Sequence, residues 1–157
     1  MLELVILIGL QASGKTTFRQ RHFDRTHTVV SKDFLRNNRA PQRRQMQLIE
    51  AALSASRSVV VDNTNPTLED RRALIDIARR FRARVRGFYL DSTLTESIAR
   101  NAARLGKSRV PDVGLFATAK VLRRPNYDEG FDELYVVRIG PSQEFLIEPY
   151  TEDSDET

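Results

Sequence analysis

The 157-residue sequence contains no cysteine and only two histidines, His22 and His27. Without cysteine the chain forms no disulfide, binds no zinc through thiolates and has no cysteine nucleophile. Two histidines are too few for a metal site built from imidazole ligands. We therefore expect any metal ion to be bound by oxygen atoms.

Long apolar segments are also missing. No apolar run approaches about 18 residues, the minimum for a membrane-spanning helix, and no basic-then-apolar leader is present. We therefore expect a soluble, cytoplasmic protein without a membrane partner. With 40% hydrophobic residues, the chain is predicted to form one domain over residues 1–148, followed by an acidic, disordered tail over residues 149–157.

Positive charge is in excess. The formal net charge is +4, but five of the 21 acidic residues lie in the last ten positions, so residues 1–147 hold 25 basic against 16 acidic side chains. This excess favours polyanionic partners such as nucleic acids, although an arginine-rich composition would also produce it by chance.

Short apolar runs alternate with helical patterns along the chain. Residues 2–8 form a nearly continuous apolar run, as in a strand buried on both faces of a parallel sheet. Further strands are predicted at residues 29–30, 59–61, 85–90 and 134–139, with a short edge strand near 145–147. Apolar residues spaced three and four apart predict helices over residues 42–55, 68–81 and 94–105. This alternation predicts an α/β fold, a doubly wound parallel β-sheet of about five strands flanked by helices, with ligands at the strand carboxyl ends.

Directly after the first strand, residues 9–17 form a complete G-x-x-x-x-G-K-[ST] motif. In such a loop the backbone N–H groups and the N-terminal end of the following helix bind phosphates. We expect Lys15 to reach the β- and γ-phosphates of a nucleoside triphosphate and Thr16 to offer its hydroxyl to Mg²⁺. The other predicted nucleotide contacts in the loop are Gly9, Ala12, Ser13, Gly14 and Thr17.

The remaining motifs distinguish between classes of P-loop protein. A GTPase needs D-x-x-G and N-K-x-D segments, and neither occurs at a predicted strand end. A kinase needs a carboxylate beside the acceptor hydroxyl, cations near the transferred phosphoryl group and a lid that excludes water. The sequence has a candidate for each, which predicts a P-loop kinase-like fold with a helical lid.

Acidic residues follow the second and third predicted strands. Asp33 would accept the proton of an attacking hydroxyl or, alternatively, cap a helix. Arg36, one helical turn later, would bind an acceptor phosphate or stabilise transferred charge. Asp62 would lie near Mg²⁺ or Lys15, and the residues 63–66 that follow it are also typical of a turn.

The predicted helix over residues 94–105 contains the lid candidates. Arg100 and Arg104 are four residues apart and would share one face, and Gly106 permits a hinge. This pattern is typical of an arginine-bearing lid over ATP, although basic residues favour any helix C-terminus.

Together these motifs resemble the 5′-hydroxyl polynucleotide kinases, in particular the kinase domains of phage and animal polynucleotide kinase-phosphatases. The resemblance spans about residues 2–140. It includes the phosphate-binding loop, Asp33 with Arg36, the run Asp62-Asn63-Thr64-Asn65-Pro66, and Arg100-Asn101 with Arg104 before Val110-Pro111.

The resemblance implies Mg²⁺-dependent transfer of the ATP γ-phosphate to the 5′-hydroxyl end of DNA or RNA. It implies that Asp33 is the general base and that Lys15 and Arg104 contact ATP phosphates. It also places Arg36, Asp62 and Thr64 in the acceptor site. The predicted catalytic residues are Lys15, Asp33, Arg36 and Arg104, and Arg39 and Arg43 are further candidates for acceptor binding.

Residues 153–157 match the D-x-D-x-[TV] string of the phosphatase domain in bifunctional members. We interpret this match as accidental and predict kinase activity without phosphatase activity. Two alternatives share the phosphate-binding loop. One is a kinase for a small molecule such as a sugar acid, nucleoside or antibiotic, and the other is a non-catalytic nucleotide-binding module.

Overall fold

The computed structural model describes residues 1–151, at position 107 the backbone alone. Its strands are β1 (Glu3–Ile8), β2 (Thr28–Val30), β3 (Val59–Asp62), β4 (Arg84–Leu90), β5 (Glu133–Ile139) and β6 (Phe145–Pro149). Its α-helices are α1 (Lys15–His22), α2 (Pro41–Ser54), α3 (Leu68–Arg80), α4 (Leu94–Ala102) and α5 (Asp112–Val121). Short 3₁₀ helices cover Lys32–Leu35, Gly106–Ser108 and Tyr127–Glu129.

The strands form a six-stranded sheet in the order β2-β3-β1-β4-β5-β6. Neighbours from β2 to β5 are parallel, and β6 pairs antiparallel with β5. Leu4 of β1 pairs with Val59 on one side and Val85 on the other. The predicted doubly wound parallel sheet is confirmed, and β6 adds a sixth strand at the position of the predicted edge strand.

Alternate residues of β1 face two hydrophobic clusters, because successive side chains of a strand point to opposite faces of the sheet. Leu4, Ile6 and Ile8 pack with apolar residues of α2 and α3. Val5 and Leu7 pack with phenylalanines of α1 and β4. All five side chains are fully buried. This two-sided burial explains the nearly continuous apolar run, and it places helices on both faces of the sheet.

Capping side chains determine where two helices begin. Thr67 Oγ1 accepts a hydrogen bond from the backbone N–H of Asp70 at the start of α3, at 3.1 Å. Thr93 Oγ1 accepts one from the backbone N–H of Glu96 at the start of α4, also at 3.1 Å. These bonds satisfy N–H groups that have no partner inside the first helical turn.

The prediction of a helix over residues 94–105 is wrong at its C-terminal end, because α4 stops at Ala102. The buried Asn101 side chain bonds to both backbone groups of Val110, accepting from its N–H at 2.9 Å and donating to its carbonyl oxygen. This pairing folds the intervening residues back as a loop. Leu105 is 87% exposed there. Arg100 and Arg104 therefore do not share a helical face.

The predicted boundary between domain and tail is also shifted. β6 extends to Pro149, and Tyr150 is buried with its backbone N–H donating to the carbonyl oxygen of Leu134 at 2.8 Å. Both residues belong to the folded domain. The match to the phosphatase string at residues 153–157 lies outside the described residues. Within residues 1–151, no helix combines the length and the apolar character needed to cross a bilayer.

Candidate active site

The carboxyl ends of β1, β2 and β3 open into a cavity of about 780 Å³. Parallel strands deliver the loops that follow them to the same edge of a sheet, so three separate motifs meet here. The predicted site residues that line the cavity are Ala12, Lys15, Thr16, Thr17, Asp33, Arg36, Asp62, Thr64 and Arg104. The predicted residues outside the lining are Gly9, Ser13, Gly14, Arg39, Arg43 and Arg100.

The loop between β1 and α1 has a backbone shape that depends on glycine. Gly14 has a φ of 99°, in the left-handed region that side chains disfavour. A Cβ atom on Gly9 would lie 2.9 Å from the carbonyl oxygen of Leu90. Gly9 also donates its N–H to the carbonyl oxygen of Thr64 at 3.1 Å, which ties the loop to the segment after β3.

Lys15 is a buried cation at this end of the cavity. It is 8% exposed, and its Nζ donates to the carbonyl oxygens of Gly9 at 3.0 Å and Leu10 at 2.6 Å. Burial lowers the pKa of Lys15 to about 8, although the negative charge of Asp62 opposes the shift. An anion that entered the cavity would favour the protonated form.

Asp62 joins the end of β3 to α1. Its Oδ2 accepts hydrogen bonds from Thr16 Oγ1 and Arg19 Nη1, each at 3.1 Å. Burial raises the pKa of Asp62, and the charges of Lys15 and Arg19 counteract this rise. Arg19 is itself 8% exposed and also donates to Asp24 Oδ1 at 2.9 Å. Its guanidinium is thus compensated by two carboxylates.

Arg19 does not line the cavity, but it bonds to Asp62 there, and the sequence did not identify it. It lies four residues after Lys15, so both side chains share a face of α1. This four-residue spacing is the feature of the sequence that points to Arg19. The carboxylate of Asp62, its partner, is 43 residues away and is brought opposite by the sheet.

Asn63 and Asn65 hold the segment after β3 in place. Asn65 has a φ of 45°, a left-handed conformation that asparagine tolerates, and its Nδ2 donates to the carbonyl oxygen of Leu7 at 2.7 Å. Asn63 Oδ1 accepts from the backbone N–H of Lys32 at 2.8 Å, and its Nδ2 donates to Gln45 Oε1 at 2.7 Å. Asn63 therefore connects the end of β3 to the 3₁₀ helix that follows β2.

A second network supports the same segment from α3. Arg71 is fully buried and donates to the carbonyl oxygen of Asn65 at 3.0 Å and to the Glu129 carboxylate at 2.7 and 3.2 Å. A buried guanidinium needs such partners, because its desolvation is costly. Glu129 is 58 residues from Arg71, so no local sequence pattern reveals the pair.

Asp33 lies at the open side of the cavity. Its backbone N–H donates to Ser31 Oγ at 3.2 Å, so the helix cap is Ser31 and the Asp33 carboxylate stays available. The side chain of Asp33 is 76% exposed, and its Oδ1 lies 3.7 Å from Nη2 of Arg36, which is 56% exposed. Arg39 and Arg43 are exposed at the start of α2. This end is therefore accessible from solvent.

Arg104 reaches the cavity from the loop between α4 and α5. Its Nη1 donates to the carbonyl oxygen of Ser108 at 3.1 Å, which keeps the loop compact. Gln11 of the phosphate-binding loop donates to Thr118 Oγ1 at 2.9 Å and links the loop to α5. Arg100 instead donates to Ser92 Oγ at 3.0 Å. One of the two predicted lid arginines therefore lines the cavity.

Three features thus share one cavity: a phosphate-binding loop with its lysine, a hydroxyl paired with a buried carboxylate, and an accessible carboxylate beside an arginine. On a parallel sheet with helices on both faces, these features define a P-loop kinase. The chain belongs to the family described as AAA domain, whose model matches residues 4–125.

The chain is also similar in sequence to a known protein. The chain is 32% identical over 137 residues to a bifunctional polynucleotide phosphatase/kinase of Schizosaccharomyces pombe, and the match covers 82% of this chain. The chain spans 32% of the length of that relative.

Two solved structures share the fold. Kti12 of Chaetomium thermophilum in complex with ADP-AlF3 has a TM-score of 0.68 at 16% identity, with 89% of this chain and 92% of that one covered. An unliganded sugar kinase from Janibacter sp. HTCC2649 has a TM-score of 0.66 at 18% identity, with 88% and 86% covered. At such identities these structures establish the fold alone.

Proposed function

We propose that this protein is an ATP-dependent kinase that transfers the γ-phosphate to the 5′-hydroxyl end of a polynucleotide. The observation that carries this proposal is that Asp33 and Arg36 line the same cavity as the phosphate-binding loop. The identity with a polynucleotide phosphatase/kinase supports the choice of acceptor. Arg36, Arg39 and Arg43 supply the positive charge that a nucleic acid backbone attracts.

ATP would bind with its phosphates along the loop between β1 and α1. The backbone N–H groups at the start of α1 face anionic ligands favourably, and Lys15 and Arg104 would neutralise charge on the β- and γ-phosphates. Arg100 would join these contacts only after its bond to Ser92 is released.

The pair of Thr16 and Asp62 fits Mg²⁺. Both offer oxygen atoms, which this ion prefers, and a P-loop hydroxyl with a carboxylate from a neighbouring strand is the arrangement found in P-loop enzymes. Phosphate oxygens and water would complete the coordination. When bound, the ion supplies positive charge to the phosphates.

Asp33 would act as the general base. Its carboxylate accepts the proton of the 5′-hydroxyl while that oxygen forms a bond to the γ-phosphorus. The bond between the γ-phosphorus and the oxygen that bridges to the β-phosphate breaks, and ADP leaves. Arg36 and Thr64 would orient the acceptor, and Arg39 and Arg43 would bind its backbone phosphates.

The test offers γ-labelled ATP and Mg²⁺ to the protein together with two groups of acceptors. One group contains DNA and RNA oligonucleotides with a 5′-hydroxyl, each matched by the same oligonucleotide already phosphorylated at its 5′ end. The other contains sugar acids, nucleosides and aminoglycosides. We expect label on the 5′-hydroxyl oligonucleotides and none on their phosphorylated counterparts.

A different distribution of label decides between the alternatives. Label confined to a small molecule would overturn the polynucleotide proposal and leave a small-molecule kinase. ATP binding without transfer to any acceptor would indicate a non-catalytic nucleotide-binding module. Lys15→Ala is the control, since it should abolish transfer if the labelled product is formed in this cavity.

A further inference from the structure

Phe34 is the third residue of the 3₁₀ helix Lys32–Leu35, directly after Asp33. Its side chain is 66% exposed, whereas Phe18, Phe23 and Phe88 are all buried in the core. A scattered apolar residue on a surface needs no explanation by itself. Phe34 differs because Lys32, Asp33 and Arg36 of the same segment line the cavity while Phe34 lies outside the lining.

The surroundings of Phe34 are strongly basic. Between residues 32 and 44, after β2, the chain has five basic residues and a single acid, Asp33. Arg36, Arg39 and Arg43 follow Phe34 along the exposed side. Proteins bind single-stranded nucleic acids with aromatic rings placed among cations, because the phosphates pair with the cations and the bases stack on the rings.

We propose that Phe34 stacks on a base of the acceptor strand close to its 5′ end, just outside the cavity. This inference rests on the proposed function. The reacting 5′-hydroxyl lies at Asp33, within the cavity, so the chain that follows it leaves past Phe34. Stacking requires an unpaired base, so the site favours acceptors whose 5′ end is single-stranded.

The experiment measures kcat/KM for wild type and Phe34→Ala with two 5′-hydroxyl oligonucleotides. They have the same length and phosphates, but the second lacks the bases of its first two nucleotides. We expect Phe34→Ala to lower kcat/KM by about 5- to 150-fold with the complete oligonucleotide, as loss of one stacking contact does. With the abasic oligonucleotide, wild type and Phe34→Ala should be equal within about twofold.

Two further variants separate stacking from general effects. Phe34→Trp should preserve kcat/KM with the complete oligonucleotide, because it preserves an aromatic face. Ile147→Ala removes an apolar side chain that is 42% exposed on β6. This variant should leave kcat/KM unchanged with both oligonucleotides.

An equal loss with both oligonucleotides would overturn the inference while leaving the proposed function intact, since wild type would still transfer phosphate. Failure of wild type to phosphorylate any oligonucleotide would overturn the proposed function and the inference together. A duplex with a blunt 5′ end that reacts as well as the single strand would contradict stacking on an unpaired base.

Discussion

Lys15, at the phosphate-binding end of the cavity, and Arg19, which bonds to Asp62 there, are each 8% exposed, whereas the side chains of Asp33 and Arg36 at the acceptor end are 76% and 56% exposed. Hydrogen bonds to backbone oxygens and carboxylates hold the two buried cations in place. By contrast, Oδ1 of Asp33 lies 3.7 Å from Nη2 of Arg36. A polyphosphate has the same shape in every nucleotide, so a fixed site suits it. Under the proposed function, the acceptor end would admit a larger ligand from solvent. The contrast therefore predicts that the first end contributes to fold stability and that the second end determines substrate choice.

The largest effect is expected at the acceptor end. Asp33→Asn should reduce kcat by about 10²- to 10⁴-fold, the range for loss of a general base. Because asparagine keeps the size and shape of the side chain, the nucleotide dissociation constant should change by less than about twofold. Steady-state kinetics and calorimetry measure the two quantities. Asp76→Asn, an exposed carboxylate on α3, is the control, and turnover unaffected by Asp33→Asn would remove Asp33 from the base role.

The second prediction compares two arginines in unfolding experiments. Arg19→Leu should lower the free energy of unfolding by about 3 to 5 kcal/mol, because it removes the guanidinium that donates to the buried carboxylate of Asp62. Arg36→Leu should lower it by less than about 0.5 kcal/mol, as exposed substitutions usually do. Urea titrations of both variants test this, and similar losses would refute the division into a stabilising end and a solvent-facing end.

The third prediction concerns pH. With a pKa of about 8, Lys15 is mostly protonated at pH 7 and mostly neutral at pH 9. Under the proposed function, ATP would bind the protonated form of Lys15, so the ATP dissociation constant should rise about tenfold over that interval. Calorimetry in buffers of different ionisation enthalpy should also show proton uptake on binding near pH 8. Lys15→Arg stays charged over this range, so the same pH dependence in that variant would exclude Lys15 as its source.

The smallest effect is expected beyond the cavity. Arg43→Ala should reduce the slope of log affinity against log salt for a single-stranded oligonucleotide by about 0.7, the contribution of one phosphate contact. Arg57→Ala is the matched control. Arg57 is exposed just before β3, at the amino end of that strand, whereas the cavity lies at the carboxyl ends. Equal slopes for wild type and Arg43→Ala would place Arg43 outside the path of the acceptor.

The sequence predicted those features that depend on neighbouring residues. The strands and the phosphate-binding loop both follow from local spacing. The end of α4 was mispredicted because Asn101 bonds to Val110, nine residues later, which overrides the helical apolar pattern through Leu105.

Contacts between distant residues were equally invisible in the sequence. Arg19 and Arg71 look like ordinary surface arginines on helices, and only the assembled sheet supplies Asp62 and Glu129 as their partners. For the same reason the sequence did not reveal that Asn63 bonds to Lys32 and thereby supports the segment carrying Asp33.

The strand order has a consequence for redesign. β3 lies between β2 and β1, and adjacent strands are about 4.8 Å apart, so the segments after β2 and β1 begin roughly 10 Å from each other. Backbone pairing sets this distance, whatever side chains the segments carry. Residues 31–40 therefore begin at a distance from the phosphate-binding loop that is set by the sheet. Under the proposed function, exchanging this segment for that of another kinase would alter the acceptor end and leave the position of the phosphate-binding loop unchanged.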